Sequence, residues 1–448
     1  MMLSEIIEFN PTRSIKKGTN APFIEMAALN ENSRDISYIF QKEFNGSGTK
    51  FKNGDTLLAR ITPCLENGKT AKVNCLKEGE HAHGSTEFII LKAKEPEYDE
   101  DFIYYLCRWS KFRDYAIGRM EGTSGRQRVD WKAIAEFECD LPKKEIRKEI
   151  GFFLKQIDDK IANNNQINQT LESLAHTLFK SWFVDFDPVI TKIEAKKTGR
   201  DPLMATLEMI SGRTANDTQN FAGAEYNELK AIAAIFPDEL ENSELGDIPK
   251  GWKVGKIGEI YSTTSGGTPS RENKSFYEDG SVSWVKSKEL INSFVFETEE
   301  SITKEAINKS SAKLLPKDSI LLAMYGATVG QYSILGATAT CNQAICAILP
   351  NENYPYTFIY SWLKENKENV MSRASGSAQQ NISQIVIKNI ELVVPPINLL
   401  KSYHQRVKNK YDYILNNQKA NQTLSNLRDE ILPKLLSNKT ILEKGGVE

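Results

Sequence analysis

Two groups of residues in this chain of 448 amino acids have types and spacing that could support a ligand site. The segment Pro63–Thr70 ends in Gly-Lys-Thr, as phosphate-binding loops do, and Cys64, Cys75, His81 and His83 offer zinc ligands. A phosphate loop needs a first glycine where Pro63 stands, and a helix after it. The Cys and His spacing is irregular and contains no CxxC pair. We therefore favour neither site and interpret these residues as ordinary buried thiols and surface histidines.

Motifs of self-contained enzymes are also missing. Val394-Pro395-Pro396-Ile397 faintly resembles the PPY/F motif of amino-methyltransferases, but it lacks the polar residue before the prolines and the aromatic residue after them. Neither a glycine-rich cofactor loop after a strand, nor a GxSxG turn, nor an HExxH helix occurs. These absences argue against a self-contained enzyme, and we expect no metal or cofactor in this chain.

Two polar loops fit nucleic-acid recognition better. Positions 108–128 contain six basic and two acidic residues, a local charge of +4 (6 − 2), interleaved with Trp109 and Tyr115. A solvated helix face remains the alternative for the first part. The Gly122–Arg128 loop offers Arg and Gln, which pair with guanine and adenine edges, and Ser375–Asn381 lies at the matching place further on. The predicted DNA-contacting residues are Arg60, Ser124, Arg126, Gln127, Arg128, Lys286, Lys288, Tyr325, Arg373, Gln379, Gln380 and Asn381.

The two loops occupy equivalent positions because the chain contains an internal repeat. NNNQINQTL at Asn163–Leu171 and NNQKANQTL at Asn416–Leu424 share six of nine residues at a shift of 253 positions (416 − 163). Pro142 and Pro395 obey the same shift, and further upstream the shift drifts as insertions would cause. The chain is therefore organised as unit, helix, connector, unit, helix.

Each repeat ends in a long helix. Apolar residues recur at spacings of three and four, which predicts two coiled-coil-like helices of about 40 residues and roughly 60 Å. Asn164 and Asn168, and Asn417 and Asn421 in the copy, interrupt the stripe. We predict that these four Asn fix the helix register; exposure to solvent is the alternative. The apolar positions are Ile146, Ile150, Phe153, Ile157, Ile161, Leu171, Leu174, Leu178 and Trp182, then Leu400, Tyr403, Val407, Ile414, Leu424, Leu427, Ile431 and Leu435.

The segments before the helices read differently. Short apolar runs such as Phe88–Leu91 and Ile345–Leu349 alternate with turn-forming clusters and with two helical stretches, which indicates a mixed, strand-rich unit. The predicted fold class is therefore α/β (α+β), with two similar units and two long coiled-coil helices. Residues 187–247, with 12 acidic and 6 basic residues, form an acidic connector with helical pieces.

Composition narrows the class of protein further. The chain is 40% hydrophobic with 57 basic and 59 acidic residues, which is ordinary globular usage with a net charge of −2. Residues 1–142 contain 20 basic and 22 acidic residues, so any DNA-binding surface must be local. Scattered cysteines, a mixed N-terminus and the absence of an 18-residue apolar run lead us to expect a cytoplasmic protein with reduced thiols.

Together these features resemble the specificity subunit of Type I restriction–modification systems. Leu57–Lys69, and Leu321–Gly330 with Asn342-Gln343-Ala344, are similar to motifs of that family. Leu178–Pro188 is similar to the end of its central conserved helix, and Ser243–Trp252 to the entry into its second recognition domain. The resemblance divides the chain into a first target-recognition domain (1–142), a central long helix (143–185), an acidic connector (186–247), a second target-recognition domain (248–395), a C-terminal long helix (396–438) and a tail (439–448).

The resemblance implies a function for each part. Each recognition domain would read one half of a bipartite, asymmetric site in double-stranded DNA, and the two long helices would pack antiparallel and set the spacing of the half-sites. The helices would also bind two modification subunits, which use S-adenosylmethionine to methylate adenine. Restriction subunits, the motor-nucleases, would add translocation and cleavage with ATP and Mg. The chain itself would not be catalytic. Two alternatives remain open: a restriction–methylation enzyme with divergent motifs, and a coiled-coil scaffold without a DNA role.

Overall fold

The chain folds into two compact units whose boundary lies within the two long helices. The computed structural model describes residues 1–123, 125–213, 223–374 and 380–437. Unit 1 combines residues 1–166 with the segment from Lys419 onward, and unit 2 spans residues 167–418. Each long helix therefore contributes one half to each unit. The predicted fold class, a mixed α/β chain with two similar strand-rich repeats and two long helices, is confirmed.

Unit 1 contains two four-stranded sheets and a two-stranded ribbon. Its elements are β1 (Ile7–Phe9), β2 (Asn20–Ile24), β3 (Phe40–Glu43), β4 (Thr49–Phe51), β5 (Thr56–Ala59), β6 (Thr70–Lys72), β7 (Ala82–Gly84), β8 (Phe88–Ala93), α1 (Pro96–Arg108), α2 (Ser110–Ile117), β9 (Met120–Glu121), β10 (Arg128–Val129), α3 (Trp131–Ala135) and the first part of α4 (Lys144–Phe183). The strand orders are β1-β8-β5-β6, wholly antiparallel, β3-β2-β7-β4, in which β2 and β7 are parallel, and β9-β10.

Unit 2 repeats this plan with more strands. Its elements are α5 (Asp187–Lys197), α6 (Pro202–Ser211), α7 (Gly223–Ile235), β11 (Leu240–Ser243), β12 (Gly246–Pro249), β13 (Lys253–Lys256), α8 (Ile257–Ile260), β14 (Thr263–Ser265), β15 (Val282–Val285), β16 (Phe294–Val295), β17 (Ser301–Ile302), α9 (Lys304–Asn308), β18 (Ile320–Ala323), β19 (Tyr332–Leu335), β20 (Thr340–Cys341), β21 (Ile345–Ile348), α10 (Tyr356–Glu365), α11 (Lys367–Ser372), α12 (Gln384–Lys388), β22 (Glu391–Val394) and most of α13 (Ile397–Ser437). The larger sheets run β14-β21-β18-β19-β16 and β17-β15-β20, and the second has a parallel β15–β20 pair.

In each unit, one central strand lies between two hydrophobic cores, and its successive side chains point alternately into one core and the other. In β5, Leu58 joins the core against the helices, while Leu57 points to the core beneath the second sheet. In β18, Leu322 and Leu321 divide in the same way. Because both faces of these strands are buried, their sequences are continuous apolar runs rather than alternating ones.

The long helices bury or half-bury the predicted apolar stripe except at three positions, Phe153, Leu174 and Leu427, which are exposed. In the part of α4 that lies in unit 1, Ile150, Leu154 and Ile157 are buried. Phe153, which the pattern placed in the stripe, is 48% exposed, and Leu154 occupies the core position instead. Helix α13 continues past Pro433 to Ser437, so that proline does not end it.

In unit 1 a charged pair holds α4 against α13. The Arg428 Nη1 donates to Asp158 Oδ1 at 2.5 Å, and the Tyr105 hydroxyl donates to Asp158 Oδ2 at 2.7 Å. Burial disfavours the charged guanidinium, but the carboxylates of Asp429 and Asp158 outweigh this and raise the pKa of Arg428. Burial and the Asp158 charge raise the pKa of Tyr105, so it stays a donor. Tyr105 lies on α1, so this junction connects three helices.

In unit 2 a neutral junction occupies the matching place. Ser361, on α10, shares hydrogen bonds with the hydroxyls of Tyr403 at 2.8 Å and Tyr411 at 3.2 Å. The Tyr403 hydroxyl also donates to the carbonyl of Ala175 on α4, at 3.2 Å. The two units therefore use the same arrangement of helices with different chemistry at the junction.

We expect Arg428→Met to lower the free energy of unfolding of unit 1 by about 3–5 kcal/mol, because Asp158 would remain buried without a cation. The double variant Asp158→Leu with Arg428→Met should recover most of this loss, since no buried charge remains. The measurement is the urea midpoint of the first unfolding transition. Lys434→Ala, which removes an exposed pair with Glu430 on the same helix, is the control and should not shift it. An unchanged midpoint for Arg428→Met would contradict this account of the junction.

Candidate nucleic-acid interface

The first predicted loop folds back onto the end of strand β5. The Thr62 amide donates to the Gln127 carbonyl at 3.0 Å, and the Val129 amide donates to the Arg60 carbonyl at 3.0 Å. Ile61 forms an isolated antiparallel bridge with Arg128. The structure therefore brings Arg60, Gln127 and Arg128 together, although they are far apart in the sequence. Gly122, with φ +125°, starts the loop in a conformation that favours glycine.

The side chains of this loop differ in how available they are. Arg126 is exposed and belongs to no ion pair among the described residues. Arg128 is exposed but forms a bidentate ion pair with Glu87, in which Nη2 donates to Oε1 at 2.8 Å and Nε donates to Oε2 at 2.9 Å. The Glu87 carboxylate raises the pKa of Arg128. Arg60 is half-buried, and its Nε has no hydrogen-bond partner within the part of unit 1 that the structure describes. Arg126 is thus an exposed side chain without an ion pair in the described part of the chain, Gln127 is half-buried, and Arg128 is exposed but held by Glu87.

The wider basic segment before this loop is not one continuous surface. Arg108 is only 8% exposed and donates to the Glu31 carbonyl at 3.1 Å. Arg113 is half-buried, and burial lowers its pKa. Arg119 is exposed and stacks on Tyr115, 4.8 Å from the ring centroid. Only part of the local charge of +4 therefore reaches solvent.

The second loop is built in the same way in unit 2. Tyr325, directly after β18 and Met324, bridges Asn381. The Gly326 amide donates to the Gln380 carbonyl at 3.2 Å, and the Ile382 amide donates to the Met324 carbonyl at 2.9 Å. Tyr325, Gln380 and Asn381 are exposed. In both repeats the described residues at the end of the polar loop, Gln127 and Arg128 or Gln380 and Asn381, thus lie against the end of the strand that divides the two cores.

The remaining predicted contacts are more scattered. Arg373 is exposed and its Nε donates to Asn369 at 3.3 Å. Lys286 pairs with Glu300 and with Glu299, and Lys288 pairs with Glu299 at 2.7 Å. These lysines lower the pKa of Glu299, so their charges are already neutralised. No hydrogen bond among the described residues joins them to the second loop. Ser124 and Gln379 lie outside the described residues.

The four predicted register residues pair across the helices. In unit 1 the Asn164 Nδ2 donates to Asn421 Oδ1 at 2.8 Å, and Asn421 donates to Asn165 at 2.8 Å. In unit 2 the Asn417 Nδ2 donates to Asn168 Oδ1 at 2.8 Å. Asn164 is 2% exposed. Cross-helix amide pairs are the arrangement that a register role requires, and the role itself stays a prediction.

Sequence reasoning missed two features of unit 1. The Asp158–Arg428 junction has no local signal, since its partners are 270 residues apart. The outer face of the β3-β2-β7-β4 sheet carries Phe23, Phe40 and Lys42, and the alternation of Phe40, Lys42 and Phe44 was the available signal. Within the described ranges, no group of three or more His, Cys, Asp or Glu could hold a metal ion. None of the described helices is long and apolar enough to cross a membrane.

Comparison with known proteins identifies relatives over most of the chain. The family model of the Type I restriction modification DNA specificity domain matches residues 2–173 and 249–426. The chain is 29% identical over 413 residues to the Type I restriction enzyme HindI specificity subunit of Haemophilus influenzae, covering 88% of this chain and 89% of the relative. It is 25% identical over 351 residues to the MjaIX specificity subunit of Methanocaldococcus jannaschii, covering 77% and 70%.

Structure comparison agrees on the fold. The crystal structure of the Type I restriction–modification system S subunit from M. genitalium aligns with a TM-score of 0.54 at 14% identity. The alignment covers 98% of this chain and 96% of that chain. At this identity the likeness shows the fold alone.

Replacing Gln127 and Arg128 together by Ala should broaden the sequences that the first loop selects. Loss of base-edge hydrogen bonds is expected to reduce discrimination at the contacted positions by roughly 5- to 100-fold. Selection of bound duplexes from a random library, with any partner subunits present, measures this. Lys92→Ala, which removes an exposed cation paired with Glu8, is the control. Identical selected sequences for wild type and the double variant would show that the loop does not read bases.

Proposed function

The chain belongs to the family of Type I restriction–modification DNA specificity proteins, and on this basis we propose that it selects the DNA site of such a system. The main supporting observation is that both repeats match the specificity-domain family. In both, the described residues at the end of the polar loop also form backbone hydrogen bonds with the residues that follow the equivalent strand. Each repeat would then read one half of a bipartite site in double-stranded DNA. Because the loop residues differ, Arg126-Gln127-Arg128 against Gln380-Asn381, the halves should be unlike sequences.

The proposed interaction with bases depends on amide and guanidinium groups, which are exposed in Arg126, Gln380 and Asn381 and half-buried in Gln127. Arg126, Gln127, Gln380 and Asn381 can reach base edges, while exposed Tyr325 and Arg373 can position the backbone. Arg128 would join them by exchanging its exposed Glu87 partner for a guanine edge. Lys286 and Lys288 would contribute only after Glu299 and Glu300 are displaced.

The long helices are proposed to set the half-site spacing. Two readers on a rigid support must keep a fixed phase along the duplex. The Asn164–Asn421 and Asn168–Asn417 pairs would hold the register of that support in each unit. The helices would also bind two modification subunits, and restriction subunits would complete the assembly.

The chemistry is proposed to reside in those partners. S-adenosylmethionine would serve the modification subunits, and ATP and Mg the restriction subunits, and no cofactor is assigned to this chain. The complex would act as an adenine-N6 DNA methyltransferase and a site-specific deoxyribonuclease in the cytoplasm. A catalytic enzyme with divergent motifs and a scaffold without a DNA role are the competing functions.

A methyl-transfer assay with labelled S-adenosylmethionine separates these functions. The purified chain alone should transfer no methyl group to duplex DNA, whereas the chain with two modification subunits should methylate adenine at one bipartite sequence. Turnover by the chain alone would support the enzyme alternative. If modification subunits methylated the same sequence without this chain, the specificity role would be wrong.

Inserting four residues within 163–170 should change the spacing between half-sites while both half-sequences stay the same. Four residues add about one helical turn, about 6 Å, which corresponds to roughly 2 base pairs of duplex. Adenine methylation mapped by single-molecule sequencing of the host genome reads the spacing directly.

The control keeps the length of this segment. Asn163→Ala with Gln169→Ala changes two exposed side chains in the same stretch and should leave the spacing unchanged. An insertion variant that methylates at the original spacing would refute the proposed role of the helices.

A further inference from the structure

The sheet β3-β2-β7-β4 of unit 1 has one face buried in a core and a second face that is open to solvent along β3 and becomes buried toward β7. Ile24, Phe51 and Ala82 point into a core. On the other face, Phe23 stands opposite Phe40 of β3 and opposite His83 of β7, and Lys50 of β4 stands opposite His83. Directly opposed residues share a face, so one surface unites residues from all four strands.

Aromatic rings form the body of this surface. The ring centroids of Phe23 and Phe40 lie 5.2 Å apart, those of Phe23 and His83 4.9 Å, and those of Phe44 and His83 5.2 Å. Phe40 and the neighbouring Tyr38 are 40% and 43% exposed, Phe23 is half-buried, and Phe44 and His83 are buried beneath them. Exposed aromatic clusters of this kind are typical of binding surfaces rather than of inert ones.

Lysines lie over these rings without losing their charge. The Lys42 Nζ is 4.3 Å from the Phe23 centroid, and the Lys50 Nζ is 5.0 Å from the Phe44 centroid. Neither lysine, nor Lys16 or Lys17 just before β2, belongs to an ion pair among the residues that the structure describes. A cation–π contact orients an ammonium group but leaves its charge available to an anion. We call Phe23, Phe40, Lys42, Phe44, Lys50 and His83 the lysine–aromatic face.

Carboxylates do not neutralise this face. Glu43, although on β3, alternates to the opposite side of the strand from Lys42. Glu25 lies at the end of the face and accepts the Tyr38 hydroxyl at 2.7 Å. The face therefore presents fixed positive charges beside exposed rings.

The lysine–aromatic face adjoins the first predicted loop. After β7 the chain runs from His83 through a turn to Glu87, which pairs with Arg128 at 2.8 Å. Four residues span at most about 14 Å. A duplex on the loop would therefore bring its backbone within reach of the face.

We propose that the lysine–aromatic face binds the phosphate backbone of duplex DNA beside the first half-site. Lys42 and Lys50 pair with two phosphates, and the rings hold the lysines in place. The inference rests on the proposed function, since it adds a contact to the same reader. It assigns affinity, not base choice, to this face, because backbone contacts carry no direct sequence information.

Unit 2 supplies a matched contrast. There Trp284 of β15 stands opposite Thr340 of β20 in the corresponding parallel pair, and the Arg271 guanidinium lies 5.1 Å from the Trp284 ring. Arg271, however, pairs with Glu300 at 2.7 Å. Because that cation is neutralised, the proposal applies to the first reader only.

The salt dependence of DNA binding by the complete complex tests the proposal. Each phosphate contact contributes about 0.9 to the slope of log affinity against log salt. Lys42→Gln with Lys50→Gln should lower the slope by about 2, so that the wild type loses roughly tenfold more affinity than the variant between 50 and 200 mM KCl. Specific and scrambled duplexes should be affected equally, and the methylated sequence should not change.

Two further variants distinguish the loss of positive charge from a structural effect of the substitutions on the salt dependence. Lys42→Arg with Lys50→Arg retains both charges and should keep the wild-type slope, and Arg271→Gln should also keep it. A wild-type slope in the double Gln variant would overturn the proposal, and so would a double Arg variant as impaired as the Gln one. A wild-type complex that showed no preference for any bipartite sequence would instead contradict the proposed function.

Discussion

The burial of the stripe on α4 against α13 is the contact on which both units depend. A helix of 40 residues gains most of its stability from packing rather than from propensity, so neither long helix is expected to persist alone. In each unit a recognition-domain helix joins the pair through a buried polar junction: Tyr105 with Asp158 and Arg428 in unit 1, and Ser361 with Tyr403 and Tyr411 in unit 2. The readers are thus anchored to the helices by specific hydrogen bonds and not by apolar contact alone.

Comparing equivalent positions of the two repeats shows which contacts between the long helices occur in both units and which occur in one. At a shift of 253 positions, Asn164 corresponds to Asn417 and Asn168 to Asn421. The Asn164–Asn421 pair of one unit therefore corresponds to the Asn417–Asn168 pair of the other. The same shift turns Asp158 into Tyr411 and Arg428 into Ala175. The amide pairs are therefore a shared feature of the fold, whereas the charged junction belongs to unit 1 only. A buried ion pair is costly unless both partners are present, which makes this junction specific for α4 against α13.

The chain has a net charge of −2, so its attraction to polyanionic DNA depends on which of its basic side chains are not paired with carboxylates. Lys286, Lys288 and Arg271 surround Glu299 and Glu300, while Arg126, Lys42 and Lys50 belong to no ion pair among the described residues. Cation–π contacts and ion pairs both orient a side chain, but only the ion pair removes its field. The distribution of carboxylates thus decides which basic residues remain available to DNA.

The sequence by itself determined the repeat, the two helices with their polar interruptions, the strand-rich units and the family, because these features are written in local periodicity and motif order. It also predicted the two loops, whose glycines and polar residues are contiguous. Only the tertiary structure decided that Arg128 is held by Glu87, that Arg108 is buried, that Lys286 and Lys288 are neutralised, and that Phe23, Lys42 and Lys50 share one face. These outcomes depend on partners between 11 and 77 positions away. The environment of a side chain at such a separation is set by strand register and packing, which no local pattern records.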